Sequence, residues 1–520
     1  MTRTTTLSII ASIWSLSAFA QYASTSLDEN NSAAEITDIG YLFSHLGTST
    51  AGYEIPAGSG KNSLFSASMW FGGQDINGQY KLAAQQYFPA RDFQPGVLSI
   101  GAAIPAPTAM SQTIWTVSKD EILNHILNYQ NSGYVIPNDI LEWPAHGDVS
   151  NSQAYNLAPF VDVDNDDIYN PQNGDYPCIK GDKAVYTIIN DKYFPHSSQG
   201  DLIGLEIHYM LYQFSSVTEL NDVTFIDAKV INRSTNTLFD YSTSFFADGD
   251  LGGATDDFAG CDSTRNLMFT YNGDSYDESS NGNLGYDSLP PAIGVVCLSH
   301  EVNSIGYYSN GSAASPNTAV DYYHLMKGKA INGSDLLDNN GQTTTFMFPG
   351  DPNDLSQWSE VNSLGFPSSI PGDRRMLMSI EKPQLDPFEE YVMTFAVVYG
   401  QGTDNLQSVE ELYQVTDDVQ EYYDNVMTTD CFASNVGIDD LSLTSSLVYP
   451  NPSNGSFVVD FGESLEDVTL TMIDMSGRVV LAEANLSGHV TAVVTNVNPG
   501  VYLLRVTSGR GGFTQRIIIE

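Results

Sequence analysis

Basic residues are scarce in this 520-residue chain: 20 Lys and Arg stand against 63 Asp and Glu, a formal net charge of −43. Nucleic-acid binding rests on clustered Lys and Arg that neutralise phosphates, and no such cluster occurs, so no nucleic-acid partner is expected. An anionic membrane surface is disfavoured for the same reason. Beyond the N-terminus no segment reaches 18 apolar residues, so no transmembrane segment is expected. Catalytic signatures are missing too. There is no Gly-x-Ser-x-Gly, P-loop or Gly-x-Gly-x-x-Gly, and "HEVNS" at 300–304 lacks the second His of a zinc-protease helix. A glycosidase needs only two carboxylates at a defined separation, and so many acids hide such a pair rather than exclude it.

Cysteine is rare: Cys178, Cys261, Cys297 and Cys431. None has Cys-x-x-Cys or Cys/His spacing for zinc. In an oxidising compartment they allow two bridges in three connectivities. Cys261–Cys297 is the first expectation, on sequence proximity alone; free buried thiols are the alternative.

What is present is a packable composition, 42% hydrophobic and 11% aromatic with 29 Tyr, so global disorder is not expected. The length predicts two to four domains. The N-terminus, "MTRTTTLSIIASIWSLSAFAQ", has one Arg, an apolar run Leu7–Phe19, and the small-x-small end Ala18-Phe19-Ala20. It reads as a signal peptide over 1–20, cleaved near Ala20. A polar leader follows at 21–35. From there to about 430, runs such as 205–214, 222–234 and 390–402 are rich in β-branched and aromatic residues with turn signals between them. They predict a mainly β protein: antiparallel β-sandwich domains with a few helices. Two helices carry capping-box patterns, Ser118 with Glu121 and Ser408 with Glu411. Their apolar stripes are expected to pack in the core. The organisation reads as an N-terminal β-rich region at 36–180, a sandwich with a C-terminal helix at 181–432, a linker at 433–445, and a small Ig-like β-sandwich at 446–520.

The last module carries Tyr449-Pro450-Asn451-Pro452, "MIDMSGRVV" (472–480, with Gly477), "NPGVYLLRV" (498–506, with Gly500 and Tyr502) and a terminal "TQRIIIE". It resembles the type A sorting domain of the Bacteroidetes type IX secretion system. The resemblance implies export, passage through the translocon, and removal of the domain by a surface sortase. The product is then released or held at the outer-membrane surface. The segments 58–87, 142–148, 157–191, 245–274 and 371–379 resemble a widespread group of large secreted Bacteroidetes proteins with the same tail. That likeness covers about 36–430 and adds no catalytic residue.

Two acidic clusters are candidate calcium sites. In "VDVDNDDIYNPQNGDYP" (161–177), oxygens fall at positions 1, 3, 5, 9 and 12: Asp162, Asp164, Asp166, Asn170 and Asn173. Ca²⁺ takes six to eight oxygens from a sharply turning loop, and the spacing resembles the calcium loops of dockerins and thrombospondin type 3 repeats. An EF-hand fits worse, with Asp167 in place of the glycine at 6 and Asn173 in place of the Glu at 12; Asp175 is a late ligand candidate. The alternative is a hydrated Asn/Asp turn. The second cluster is Asp248, Asp250, Asp256, Asp257 and Asp262, with Asp274, Asp277 and Glu278 as possible extensions; an unliganded acidic loop is its alternative. Residues 349–358 ("PGDPNDLSQW") read as a plain turn. His146 and Asp148 could do acid–base work, although a satisfied loop histidine is the simpler reading. The expected function is therefore non-enzymatic: a surface-delivered, calcium-stabilised protein for adhesion, matrix or glycan contact. The alternative is a secreted hydrolase acting on polysaccharide or peptide.

Overall fold

A computed structural model describes residues 22–48, 50–105, 110–216, 218–280, 282–311, 315–361, 370–427, 447–474, 479–508 and 511–519. The expected signal peptide at 1–20 and the expected linker at 433–445 lie outside them.

Among the described residues, two large antiparallel sheets form the centre of the body. The larger runs, in spatial order, Ile114–Ser118, Lys183–Asn190, Leu205–Gln213, Thr224–Asn232, Glu390–Gly400, Ala292–Cys297, Leu267–Asn272 and Asp257–Asp262, with the short strand Gln94–Pro95 also pairing on Lys183–Asn190. The smaller runs Ser304–Ser309, Arg374–Leu385, Leu238–Gly249, Ser66–Gln74 and Tyr80–Ala83. Between the sheets lies one core that includes Ile207, Tyr209, Ile226, Phe245, Met378 and Phe395.

The outer faces are covered as well, which explains why central strands lack the polar alternation of a half-exposed sheet. Val409, Leu412 and Val419 of the helix Asn405–Asn425 pack on the larger sheet, alongside Trp115, Ile122 and Trp143. The helix Ala319–Met326 covers Trp70 and Phe246 on the smaller one.

The capping box at Ser118 forms: its hydroxyl accepts the Glu121 N–H and Glu121 returns to the Ser118 N–H. At the second helix the expectation fails. Asp404 is the N-cap, accepting from Leu406 and Gln407 N–H at 3.1 and 2.9 Å. Ser408 lies inside the helix, where its hydroxyl donates to the Pro290 carbonyl at 2.7 Å.

The expected domain division also changes. From residue 22 on, the expected polar leader is part of the fold, because Ser24–Leu27 pairs with Ala33–Thr37. Nor does 180/181 separate domains. Ser66–Gln74 pairs with Leu238–Gly249, and Ile114–Ser118 with Lys183–Asn190.

Cys261 and Cys297 are free and buried, which corrects the expected bridge. They sit on strands separated by a third, Leu267–Asn272. Two strand spacings alone put them at least roughly 9–10 Å apart, beyond the ~7 Å Cα limit for a disulfide. Cys178 is the disulfide-bonded one; Cys431 lies outside the described residues.

The tail forms its own antiparallel sheet with a separate core that includes Val459, Leu470, Leu504 and Ile517. Asn451 accepts the Ile518 N–H at 2.8 Å, and the Tyr502 hydroxyl donates to the Asn498 carbonyl at 2.6 Å, pinning the first and last parts of the motif set to the sheet. Gly500 opens the strand Gly500–Ser508; Gly477 lies outside the described residues.

Candidate functional site

The aspartate loop closes a small hairpin in which Phe160–Val161 pairs with Tyr176–Pro177. Asp162 turns the chain by accepting backbone N–H groups of Asn165, Asp166 and Asp167 at 2.7, 3.3 and 2.7 Å. Asn165 and Asp167 take positive φ, 58° and 61°, a left-handed conformation that Asn and Asp tolerate better than most residues. Position 6 thus has glycine-like backbone without glycine.

Oxygens of Asp162, Asp164 and Asp166 lie within 4.8 Å of one another. Desolvation and the charges of Asp166, Asp175 and Asp162 raise the Asp164 carboxyl above its usual value, against a 3.0 Å hydrogen bond from Asn173. Desolvation acts on Asp162 too, but the three N–H groups outweigh it and hold that carboxyl low. Asp175 has a different job. It is fully buried, and its two oxygens accept the Val163 and Asn170 N–H groups at 2.8 Å each. Asn170 caps the short turn Pro171–Asn173, accepting from Gln172 N–H at 3.1 Å. Of the six sequence candidates, three converge, Asn173 touches one of them, and Asn170 and Asp175 hold the backbone.

The inner side of this loop walls a groove of about 850 Å³. Tyr155, Leu157 and Phe160 give it apolar surface, Asp162 and Asp167 an acidic edge, and Lys180, Asp227 and Lys229 a polar floor. Lys180 is 2.7 Å from Asp227, which also accepts from the Thr394 hydroxyl at 2.8 Å. His146 stacks on Tyr155 with ring centroids 4.1 Å apart. Its Nε2 accepts the Tyr169 N–H at 2.9 Å, leaving Nδ1–H to donate to the Tyr155 carbonyl at 3.3 Å. Asp148 is spent capping the turn Val149–Asn151. The two therefore form no acid–base pair.

Tyr186 and His208 line the groove as well: Tyr186 is 2.7 Å from His208 Nδ1, and His208 Nε2 is 2.9 Å from Glu206, which Arg233 also grips at 2.6 Å. The sequence reading passed over this chain. The i, i+2 spacing of Glu206 and His208 on a strand, which puts both on one face, was the available signal.

The second cluster divides. Asp248 and Asp250 converge with Asp373, oxygens of all three lying within 4.8 Å of one another. Asp373 went unnoticed in the sequence; the Leu238–Gly249 and Arg374–Leu385 pairing brings it there. Asp256 lies with Glu278, and desolvation, the hydrogen bond to Glu278 and the Asp277 charge push its carboxyl up to about 7. Asp257 is fully buried, with one oxygen on the Leu251 N–H at 3.2 Å. Asp277 accepts the Gly253 and Tyr286 N–H groups at 3.0 and 2.7 Å. Asp262 belongs elsewhere, 2.6 Å from Arg265. In 349–358, Asp351 and Asp354 accept the N–H two residues on, as plain turns do.

Residues 447–520 match the family model of the secretion system C-terminal sorting domain. The chain is cargo of the type IX secretion system. The cargo is thus a secreted or cell-surface protein of the Bacteroidetes type, handled by that system. Among its described residues no helix is long and apolar enough to cross a membrane. No curated protein matches it in sequence. Among solved structures, a polysaccharide lyase aligns over 60% of the cargo and 34% of its own chain, at 10% identity and a TM-score of 0.17. The cargo thus spans about a third of that lyase, and a likeness at this level carries no argument about activity.

Proposed function

We propose that this cargo acts outside the cell as a binding protein, with the groove beside the 162–175 loop as its contact surface for a glycan or matrix polymer. The groove itself carries the reading: an open trough of about 850 Å³ with aromatic faces and charged edges. Small-molecule and sugar sites combine apolar walls with a few placed polar groups in this way. Tyr155 and Phe160 offer ring faces, and Lys180, Asp227 and Lys229 offer donors and acceptors.

Calcium has a structural part in this reading. Held by Asp162, Asp164 and Asp166, it offsets most of the charge of three crowded carboxylates and stiffens the wall. The rival is a secreted hydrolase using wall acids against Asp227. Asp227 is already committed to Lys180 and Thr394, which favours binding.

A glycan and matrix-polymer array tests this, run with Ca²⁺ and with EDTA. Wild type is expected to bind at least one class of polymer, with the signal lost in Tyr155→Ala and reduced in Asp162→Ala/Asp164→Ala. Binding that ignores Tyr155→Ala, or cleavage of the printed polymers, sinks the binding reading.

A further inference from the structure

We propose that Asp248, Asp250 and Asp373 hold a hard divalent cation of the calcium class at one end of the smaller sheet. This inference is independent of the groove. Asp248 is the penultimate residue of the strand Leu238–Gly249, and Asp250 follows that strand directly. Asp373 directly precedes the strand Arg374–Leu385. Antiparallel register, with Asp248 opposite Arg375 and Gly249 opposite Arg374, stacks the three acids at the same edge.

Burial makes this cluster different from an ordinary acidic surface. Asp248 is 1% exposed and Asp250 8%. Each has a buried oxygen, Oδ1, with no hydrogen-bond partner. Buried carboxylate oxygens are nearly always paired, so two such oxygens side by side call for a ligand. The remaining contacts do not supply one. Asp248 Oδ2 accepts the Tyr87 hydroxyl at 2.7 Å and lies 3.4 Å from Arg375. Asp373 is ion-paired with Arg375 and accepts from Asn310 at 2.8 Å. Three carboxyl groups thus face one guanidinium.

A divalent cation removes that imbalance. The donors are carboxylate oxygens without His or Cys, which selects hard ions such as Ca²⁺ over zinc or copper. Asp373, with 23% of its side chain exposed, leaves one side open to solvent for entry and for coordinating water. Bound there, the ion would tie the end of the 238–249 strand to the start of 374–385.

The test counts calcium ions on the mature chain by equilibrium dialysis, in an Asp162→Asn/Asp164→Asn background that removes the first loop. This background is expected to retain one ion per chain, and adding Asp250→Asn or Asp373→Asn is expected to abolish it. Melting in EDTA guards against misfolding. Asp250→Asn removes a repulsive buried charge, so it is expected to melt no lower than its parent in EDTA while losing the rise that Ca²⁺ gives. No ion in the background, or an ion that survives both substitutions, overturns the proposal. A calcium-dependent rise that persists in Asp250→Asn overturns it equally.

Discussion

Glu206 gathers Arg233, His208 and Leu98 around one buried carboxylate. It is fully buried, with Oε1 held by Arg233 and His208 and Oε2 accepting the Leu98 N–H at 2.6 Å. Burial alone would raise its carboxyl, but His208 and Arg233 outweigh this and bring it down to about 2. A depressed carboxylate contributes stability above its ordinary value near 4.5 and loses it as pH falls toward 2. Glu206→Gln is therefore expected to cost on the order of 3 kcal/mol at pH 7, because it strands a buried Arg233. Denaturant unfolding at pH 7 and pH 3 checks this: the cost must shrink in acid, and a constant cost contradicts the ion-pair account. The cysteines give a second residue-scale outcome. Burial pushes the Cys297 thiol up to about 11 and raises Cys261 as well. A thiol reagent is expected to find neither in the native protein and both after unfolding without reductant, since reactivity follows exposed thiolate. Rapid native labelling at Cys261 or Cys297 would contradict their burial. Proximity in sequence suggested a bridge between them; the strand that separates them in space was invisible until the sheet order was known.

The hairpin Phe160–Pro177 shows what a local pattern can and cannot convey. Oxygen spacing announced a turn with carboxylates converging, and Asp162, Asp164 and Asp166 do converge. The spacing could not say that Asp175 would turn inward to hold Val163 and Asn170, because that depends on the loop docking against a helix. Docking runs through Gly174, at φ 108°, where an added Cβ would meet the Tyr129 ring at 2.8 Å. Gly174→Ala is therefore expected to cost roughly 2–4 kcal/mol from left-handed backbone strain and overpacking together. Thermal melting checks it; an unchanged transition would mean the loop is not seated on Tyr129. The helix Asn405–Asn425 carries the complementary lesson. Its apolar stripe was legible from 3.6-residue spacing, yet its start was misplaced by a capping box that matched Ser408 and Glu411. Asp404 makes the cap instead, and the Ser408 hydroxyl is drawn to Pro290 by tertiary packing.

At the scale of the whole molecule, strand content was legible and strand partnership was not. β-branched runs marked 205–214, 222–234 and 390–402 correctly, since all three are central strands of the larger sheet. A cut at 180/181 nevertheless looked natural, because composition along the chain carries no record of strand pairings between segments far apart in sequence. Ser66–Gln74 has Leu238–Gly249 as one neighbour, and Ile114–Ser118 pairs with Lys183–Asn190. A fragment of residues 36–180 would expose Met69, Phe71 and Val117, all 1% exposed or less in the intact body. It would also leave strand edges unpaired, an arrangement that invites aggregation. The fragment is therefore expected to show no cooperative melt, whereas residues 22–445 are expected to unfold in one calorimetric transition, with the 447–520 tail contributing its own. The 162–175 loop lies within that fragment, but its groove floor, Asp227 and Lys229, does not. Calcium binding and any glycan binding should thus both need the full body. If residues 36–180 alone melted cooperatively, the interleaved sheets would not be the folding unit, and the groove would have to be sought within the smaller piece.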